Sequence, residues 1–262
     1  MENKLFLKIF LSLSLALSVY SINDKIIEVS NTSLAADIKN FTDLDEATKW
    51  GNKLIKQAKY SSNDKIALYE YTKDSSKING PLRAAGGDIN KLDSIIQEKV
   101  RRLDSSISKS TTPESVYVYR LLNLDYLSSV VGFTSEDLHK LQQTNNGQYD
   151  ENLVRKLNNV MNSRVYREDG YSSTQLVSGA AVGGRPIELR LELPKGTKAA
   201  YVNSRDLTAY YGQQEILLPR GTEYAVGSVD LSNDKKKIII TATIFKSPLY
   251  YLNLDRNINI RY

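Results

Sequence analysis

The sequence contains no cysteine and one histidine, His139. The first absence excludes thiol nucleophiles, cysteine-ligated metals and disulfides, so the core must hold together by burial alone. It also leaves a chain that can refold after crossing a membrane into a reducing compartment. The second absence excludes a multi-histidine metal site and any Ser-His-Asp arrangement not built on His139. Beyond the N-terminal segment no stretch approaches the ~18 consecutive apolar residues of a membrane span. No basic cluster is interleaved with aromatic residues, so the net charge of +5 reads as a solvated surface and no nucleic-acid partner is expected. Internal repeats and low-complexity linkers are also lacking, and one domain is expected.

What is present begins with a leader. Lys4 and Lys8 precede or punctuate an otherwise apolar run from Leu5 to Val19, the layout of a secretory signal peptide. Ser33-Leu34-Ala35, followed by Ala36, carries small residues suited to cleavage. Removal of residues 1–35 would leave 262 − 35 = 227 residues, enough for one filled core.

The remainder divides into a helical front and a strand-rich back. Thr42-Asp43-Leu44-Asp45 reads as a helix start, with Leu44, Ala47, Trp50 and Leu54 at helical spacing. Further helices are predicted over Asp64–Ser75, about Asn90–Ile107, Ser135–Gln143, and around Leu153, Leu157, Val160 and Met161. Val116–Leu122 reads as a strand. From Gly170 the period changes to two. Ile187, Leu189, Leu191 and Leu193 alternate with Glu188, Arg190 and Glu192, which predicts a half-buried strand. Ala199–Val202, Thr222–Val226 and Lys237–Phe245 are predicted strands separated by Gly-, Pro- and Asn-containing turns. Helices first and strands later indicate an α+β fold.

Four segments are candidates for chemistry. The Gly179–Gly184 segment superficially resembles a dinucleotide-binding turn, but it follows no clear strand, opens no helix and lacks the glycine spacing. In Val116–Leu122, period two puts Arg120 on the face of Val116 and Val118. Either its guanidinium meets an anion there or the strand ends and Arg120 reaches water. Gly170–Leu176 is a run of small hydroxyl residues, by itself a loop. In Tyr210-Tyr211-Gly212-Gln213-Gln214-Glu215, an extended backbone would turn Gln213 and Glu215 to one side, beside two exposed aromatics of the kind found at contact sites.

In this order (arginine on a first strand, then Ser-Thr-x, then Gln/Glu-x-Glu) the segments resemble bacterial protein ADP-ribosyltransferases. From about Ala36 to Lys246 the chain is similar to the Rho-inactivating exoenzymes of the clostridial and staphylococcal type. The resemblance is carried by NGPLR at 79–83, VYVYRLL at 116–122, GYSSTQLVSGAAVGGRPIELRLELPKGTKAAYV at 170–202 and LTAYYGQQEILLPRGTEYAVGSV at 207–229. The family's Ser-Thr-Ser reads Ser173-Thr174-Gln175 here, so only the first serine's role carries over. Residues 247–262 lie beyond the resemblance.

The resemblance implies one transferase domain over residues 36–246, with N-terminal helices on two crossed, mainly antiparallel sheets. It implies NAD as co-substrate, no metal, and host Rho-type small GTPases as protein partners. It further implies a secreted monomer acting in the host cytosol without stable membrane insertion. Glu215 would bond the nicotinamide ribose and stabilise its developing positive charge, and Ser173 would hold Glu215. Arg83, Arg120 and Arg185 would contact NAD, with Asn79 beside the first. Gln213 marks members that modify asparagine, and Tyr210 sits where the family touches its protein substrate. The chemistry agrees: nicotinamide leaves as a neutral molecule, so one carboxylate suffices for an oxocarbenium-like transition state. The competing expectations are a secreted non-enzymatic binding protein with a degenerate transferase fold, and a plain NAD glycohydrolase.

Overall fold

Asp43 opens helix α1 (Leu44–Ala58), its side chain accepting the Glu46 N–H, which satisfies one of the four orphan donors of a helix start. Ala47, Trp50 and Leu54 are buried as their spacing predicts, whereas Leu44 is exposed. Gly51 on the same face leaves room for the Tyr201 ring. A Cβ there would lie 2.5 Å from three ring carbons. The computed structural model describes residues 38–180 and 183–244. The expected leader 1–35 and tail 247–262 lie outside the described residues, as do Ala181 and Val182.

Helix α2 (Ser62–Lys73) starts from a capping box between Ser61 and Asp64. It is followed by α3 (Ser76–Ala84), which contains Pro81 and corresponds to no predicted element. Helix α4 (Ser94–Ile107) is capped by Asp93 and begins four residues later than predicted, after a short 3-10 turn at Ile89–Lys91. Helices α5 (Ser135–Gln142) and α6 (Glu151–Met161) lie where they are predicted.

The strands are β1 (Val116–Leu122), β2 (Val165–Glu168), β3 (Ser172–Gln175), β4 (Ile187–Leu193), β5 (Ala200–Tyr201), β6 (Glu215–Leu218), β7 (Thr222–Leu231) and β8 (Ile238–Ile244). They form one eight-stranded sheet in the order β2-β7-β8-β4-β1-β3-β6-β5, antiparallel except for β4 with β8. The α+β class is as expected. The two expected sheets are two arms of this one ladder, joined between β1 and β3 at the single pair Tyr119↔Gln175.

Three local expectations need correction. The hydroxyl-rich run after Gly170 is a strand, β3, because it pairs with β6 over Ser172–Gln175; β2 also precedes the point where period two was expected to begin. Strand β4 is not half-exposed at Glu188, which is 5% accessible and accepts hydrogen bonds from Ser178 and Arg190. That strand runs between β1 and β8, so alternation of polarity does not mean alternation of exposure here. Finally, Gln214 has φ +55°, so the backbone between Gln213 and Glu215 is not extended.

Two apolar clusters flank the ladder. One joins α1, α5 and α6 to strands of both arms, with α1 lying against β5. The other gathers Leu68, Tyr71, Leu82, Leu103 and Tyr171 from α2, α3, α4 and the β2–β3 connection against Ala200 and Leu217. Strand β6 is buried on both faces: Ile216 and Leu218 belong to the first cluster and Leu217 to the second. By strand parity Glu215 shares the Leu217 face, which turns its carboxylate toward α2 and α3.

Candidate active site

On that face lies a cavity of about 400 Å³ bordered by α2, α3, β1, β3 and the segment ahead of β6. Its lining includes all eight residues singled out from the sequence: Asn79, Arg83, Arg120, Ser173, Arg185, Tyr210, Gln213 and Glu215. The fold thus brings together side chains spread over 215 − 79 = 136 positions of sequence.

Glu215 is 6% accessible. Ser173 Oγ donates to its Oε1 at 2.5 Å. Burial pushes the Glu215 carboxyl above its usual range, and hydrogen bonds from Ser173 and Thr208 oppose that rise. Glu215 is thus kept from dropping to an ordinary surface acidity while its charge remains specifically solvated. Thr208, itself 3% accessible, also accepts the Tyr210 N–H at 3.1 Å and so ties the loop to the carboxylate.

Arg120 does meet an anion. Its Nη1 donates to Glu168 Oε2 at 3.1 Å and to Ser172 Oγ at 3.0 Å. Arg83 binds the same carboxylate with both arms of its fork, Nε to Oε1 at 2.9 Å and Nη2 to Oε2 at 3.0 Å. Burial alone would raise the Glu168 pKa, but Arg83, Arg120 and the Gly170 N–H outweigh it and hold the group below the usual carboxylate range. Arg185 is exposed and donates to the Leu121 carbonyl at 2.9 Å.

Asn79 lines the cavity but its amide is engaged inside the protein. Its Nδ2 donates to Tyr71 Oη at 3.0 Å and to the Tyr171 carbonyl at 3.1 Å, and its Oδ1 accepts the Tyr171 N–H at 2.9 Å. A Cβ at position 170 would lie 2.8 Å from Asn79 Oδ1, so this clasp requires Gly170. Tyr210 and Tyr211 are 50% and 56% exposed at the rim, with Arg205 5.0 Å from the Tyr211 ring centre. Gln214, between Gln213 and Glu215, is turned away from the cavity: Tyr201 Oη donates to its Oε1 and its Nε2 donates to Thr48.

Sequence reasoning missed Glu168, Thr208, Tyr71 and Tyr171. Nothing local distinguishes Glu168 from the other acidic residues, since its importance arises from α3 and β1 converging on it. Chemically, the cavity presents three guanidiniums, one buried carboxylate oriented by hydroxyls, and an aromatic rim. That charge set fits a dinucleotide, whose diphosphate suits the arginine forks and whose ribose could receive the carboxylate. Among the described residues no three His, Cys, Asp or Glu side chains gather as a metal site, and no helix is long and apolar enough to cross a membrane.

A family model described as ADP-ribosyltransferase exoenzyme matches residues 47–247. The chain is 92% identical over 246 residues to the epidermal cell differentiation inhibitor of Staphylococcus aureus, covering 94% of this chain and 100% of that protein. It is 34% identical over 210 residues to mono-ADP-ribosyltransferase C3 of Hathewaya limosa, covering 80% of each. Among solved structures, C3stau2 from S. aureus with NAD is similar at a TM-score of 0.80 and 77% identity, over 81% of this chain and 100% of that one.

Proposed function

The chain belongs to the ADP-ribosyltransferase exoenzyme family, the NAD-dependent mono-ADP-ribosyltransferases, and we propose that it transfers ADP-ribose to an asparagine side chain of host Rho-type small GTPases. It does so as a monomer exported through the leader at residues 1–35 and acting in the host cytosol. The observation that carries the chemical part is the Ser173–Glu215 pair, at 2.5 Å, in one cavity with Arg83, Arg120 and Arg185. The asparagine assignment rests on Gln213 as the family resemblance reads it, and the Rho assignment on the resemblance over about residues 36–246.

The arginines bind and orient the diphosphate. Glu215 bonds the ribose and stabilises positive charge as the glycosidic bond to nicotinamide breaks, a preorganised electrostatic effect. The target's amide nitrogen attaches to the same ribose carbon and sheds a proton. Gln213 can exchange two amide hydrogen bonds with an asparagine and offers no carboxylate to a guanidinium. Tyr210 supplies contact area at the rim. The deciding experiment is incubation of the protein with labelled NAD and a host-cell lysate. One labelled band of small-GTPase size, mapped to asparagine by mass spectrometry, is expected. Free ADP-ribose alone would indicate a glycohydrolase, and no turnover would indicate a binding protein.

A further inference from the structure

We propose that Glu168 is a positioning residue for NAD, fixing the direction in which Arg83 and Arg120 present their guanidiniums to the cavity. This rests on the functional reading above and adds to it a residue that the sequence motifs do not include. Glu168 is absent from the cavity lining, whereas both arginines belong to it, so it reaches a bound dinucleotide only through them.

The geometry is fully committed. Oε1 accepts Arg83 Nε at 2.9 Å and the Gly170 N–H at 2.9 Å. Oε2 accepts Arg83 Nη2 at 3.0 Å and Arg120 Nη1 at 3.1 Å. Four donors thus meet a carboxylate with about four acceptor positions, at a side-chain accessibility of 17%. The donors come from α3, β1 and the turn after β2, so Glu168 is where three separate elements agree on the placement of two cations. The Asn79–Tyr171 clasp and the absence of a Cβ at Gly170 hold the third donor in place.

Two guanidiniums this close repel one another, and a single carboxylate between them leaves the trio with net charge +2 − 1 = +1. If Glu168 served only to neutralise the arginines, removing its charge would make the site more positive and tighten NAD. A positioning role predicts the opposite sign, because loosened forks lose the alignment that makes arginine a good phosphate ligand.

The test is calorimetric titration of NAD against wild type, Glu168→Gln, Arg83→Lys and the double variant, with steady-state NAD hydrolysis alongside. Glu168→Gln keeps shape but sets an amide NH2 against a guanidinium. The Kd for NAD is expected to rise about ten-fold with kcat within about three-fold. In the Arg83→Lys background the same change should cost clearly less than ten-fold, since only Arg120 is then left for Glu168 to position and coupled residues are not additive. An unchanged or lower Kd, or a full ten-fold loss in the double variant, overturns the proposal. Glu168→Asp retains the charge but withdraws the fork by one methylene, and is the second probe should the glutamine variant misfold. It too should weaken NAD, and a wild-type Kd there overturns the proposal. A wild-type protein that binds no NAD overturns the functional reading as well, which separates the two failures.

Discussion

Ser173→Ala removes the hydroxyl that donates to Glu215 Oε1 at 2.5 Å and leaves the rest of β3 intact. A hydrogen bond to a charged group contributes roughly 1.5–3 kcal/mol, and 1.36 kcal/mol corresponds to one decade in an ionisation equilibrium. The variant's carboxylate, still buried and retaining the Thr208 hydroxyl, is therefore harder to ionise. Catalysis requires the ionised form, so the acid limb of kcat/KM for NAD hydrolysis should move to higher pH by about one to two units. The direction for stability follows from the same shift. Glu215 already has a raised pKa through burial, so the folded state binds protons more readily than the unfolded one. Its contribution therefore improves as pH falls through that pKa. The Tm deficit of Ser173→Ala should then be larger at pH 7 than at pH 4.5. Rate profiles from pH 4.5 to 9 and thermal melts at both ends check this. An acid limb that stays put or moves down would refute the role given to Ser173.

Glu215→Gln should lower both transfer and hydrolysis by ~10²–10³ while NAD titration remains near wild type; retention of more than about a tenth of the rate would exclude the electrostatic role. Arg185→Lys keeps charge but loses the fork, and should weaken NAD by about 1–2 kcal/mol in calorimetry; an unchanged Kd removes it from the site. Gln213→Ala should abolish modification of the GTPase while slow NAD hydrolysis continues, because Glu215 and the arginines remain; intact protein transfer would sink its role. Tyr210→Ala should chiefly raise KM for the GTPase, since a half-exposed aromatic supplies contact area and no chemistry; a fall in kcat at unchanged KM would contradict that.

Much of the helical half was legible, because caps and apolar spacing are local signals. Asp43 reads as a helix start and does accept a first-turn N–H of α1, whereas Asp93 reads as helix interior and is the cap that sets the later start of α4. Strand β1 is legible in full from its Val- and Tyr-rich composition, which is also a local signal. What failed were elements whose identity depends on partners. Ser172–Gln175 has no local strand signature and becomes one only by pairing with β6. Glu188 alternates as a surface residue would, yet is buried between Ser178 and Arg190. An extended backbone would turn Gln213 and Glu215 to one side, but the left-handed Gln214 breaks that backbone. The two side chains still line one cavity, through loop geometry that no periodicity encodes.

The sequence by itself determined which chemical groups are available: no thiol, no histidine cluster, and an ordered set of Arg120, Ser173, Gln213 and Glu215 with further arginines at 83 and 185. Composition and motif order are properties of the chain, so folding cannot change them. The tertiary structure alone decided that Glu215 is 6% accessible with a raised pKa, that Asn79 spends its amide on Tyr171, and that Glu168 ties two arginines from α3 and β1 together. Desolvation and hydrogen-bond partners come from residues far away along the chain, and only packing brings them within reach of one another.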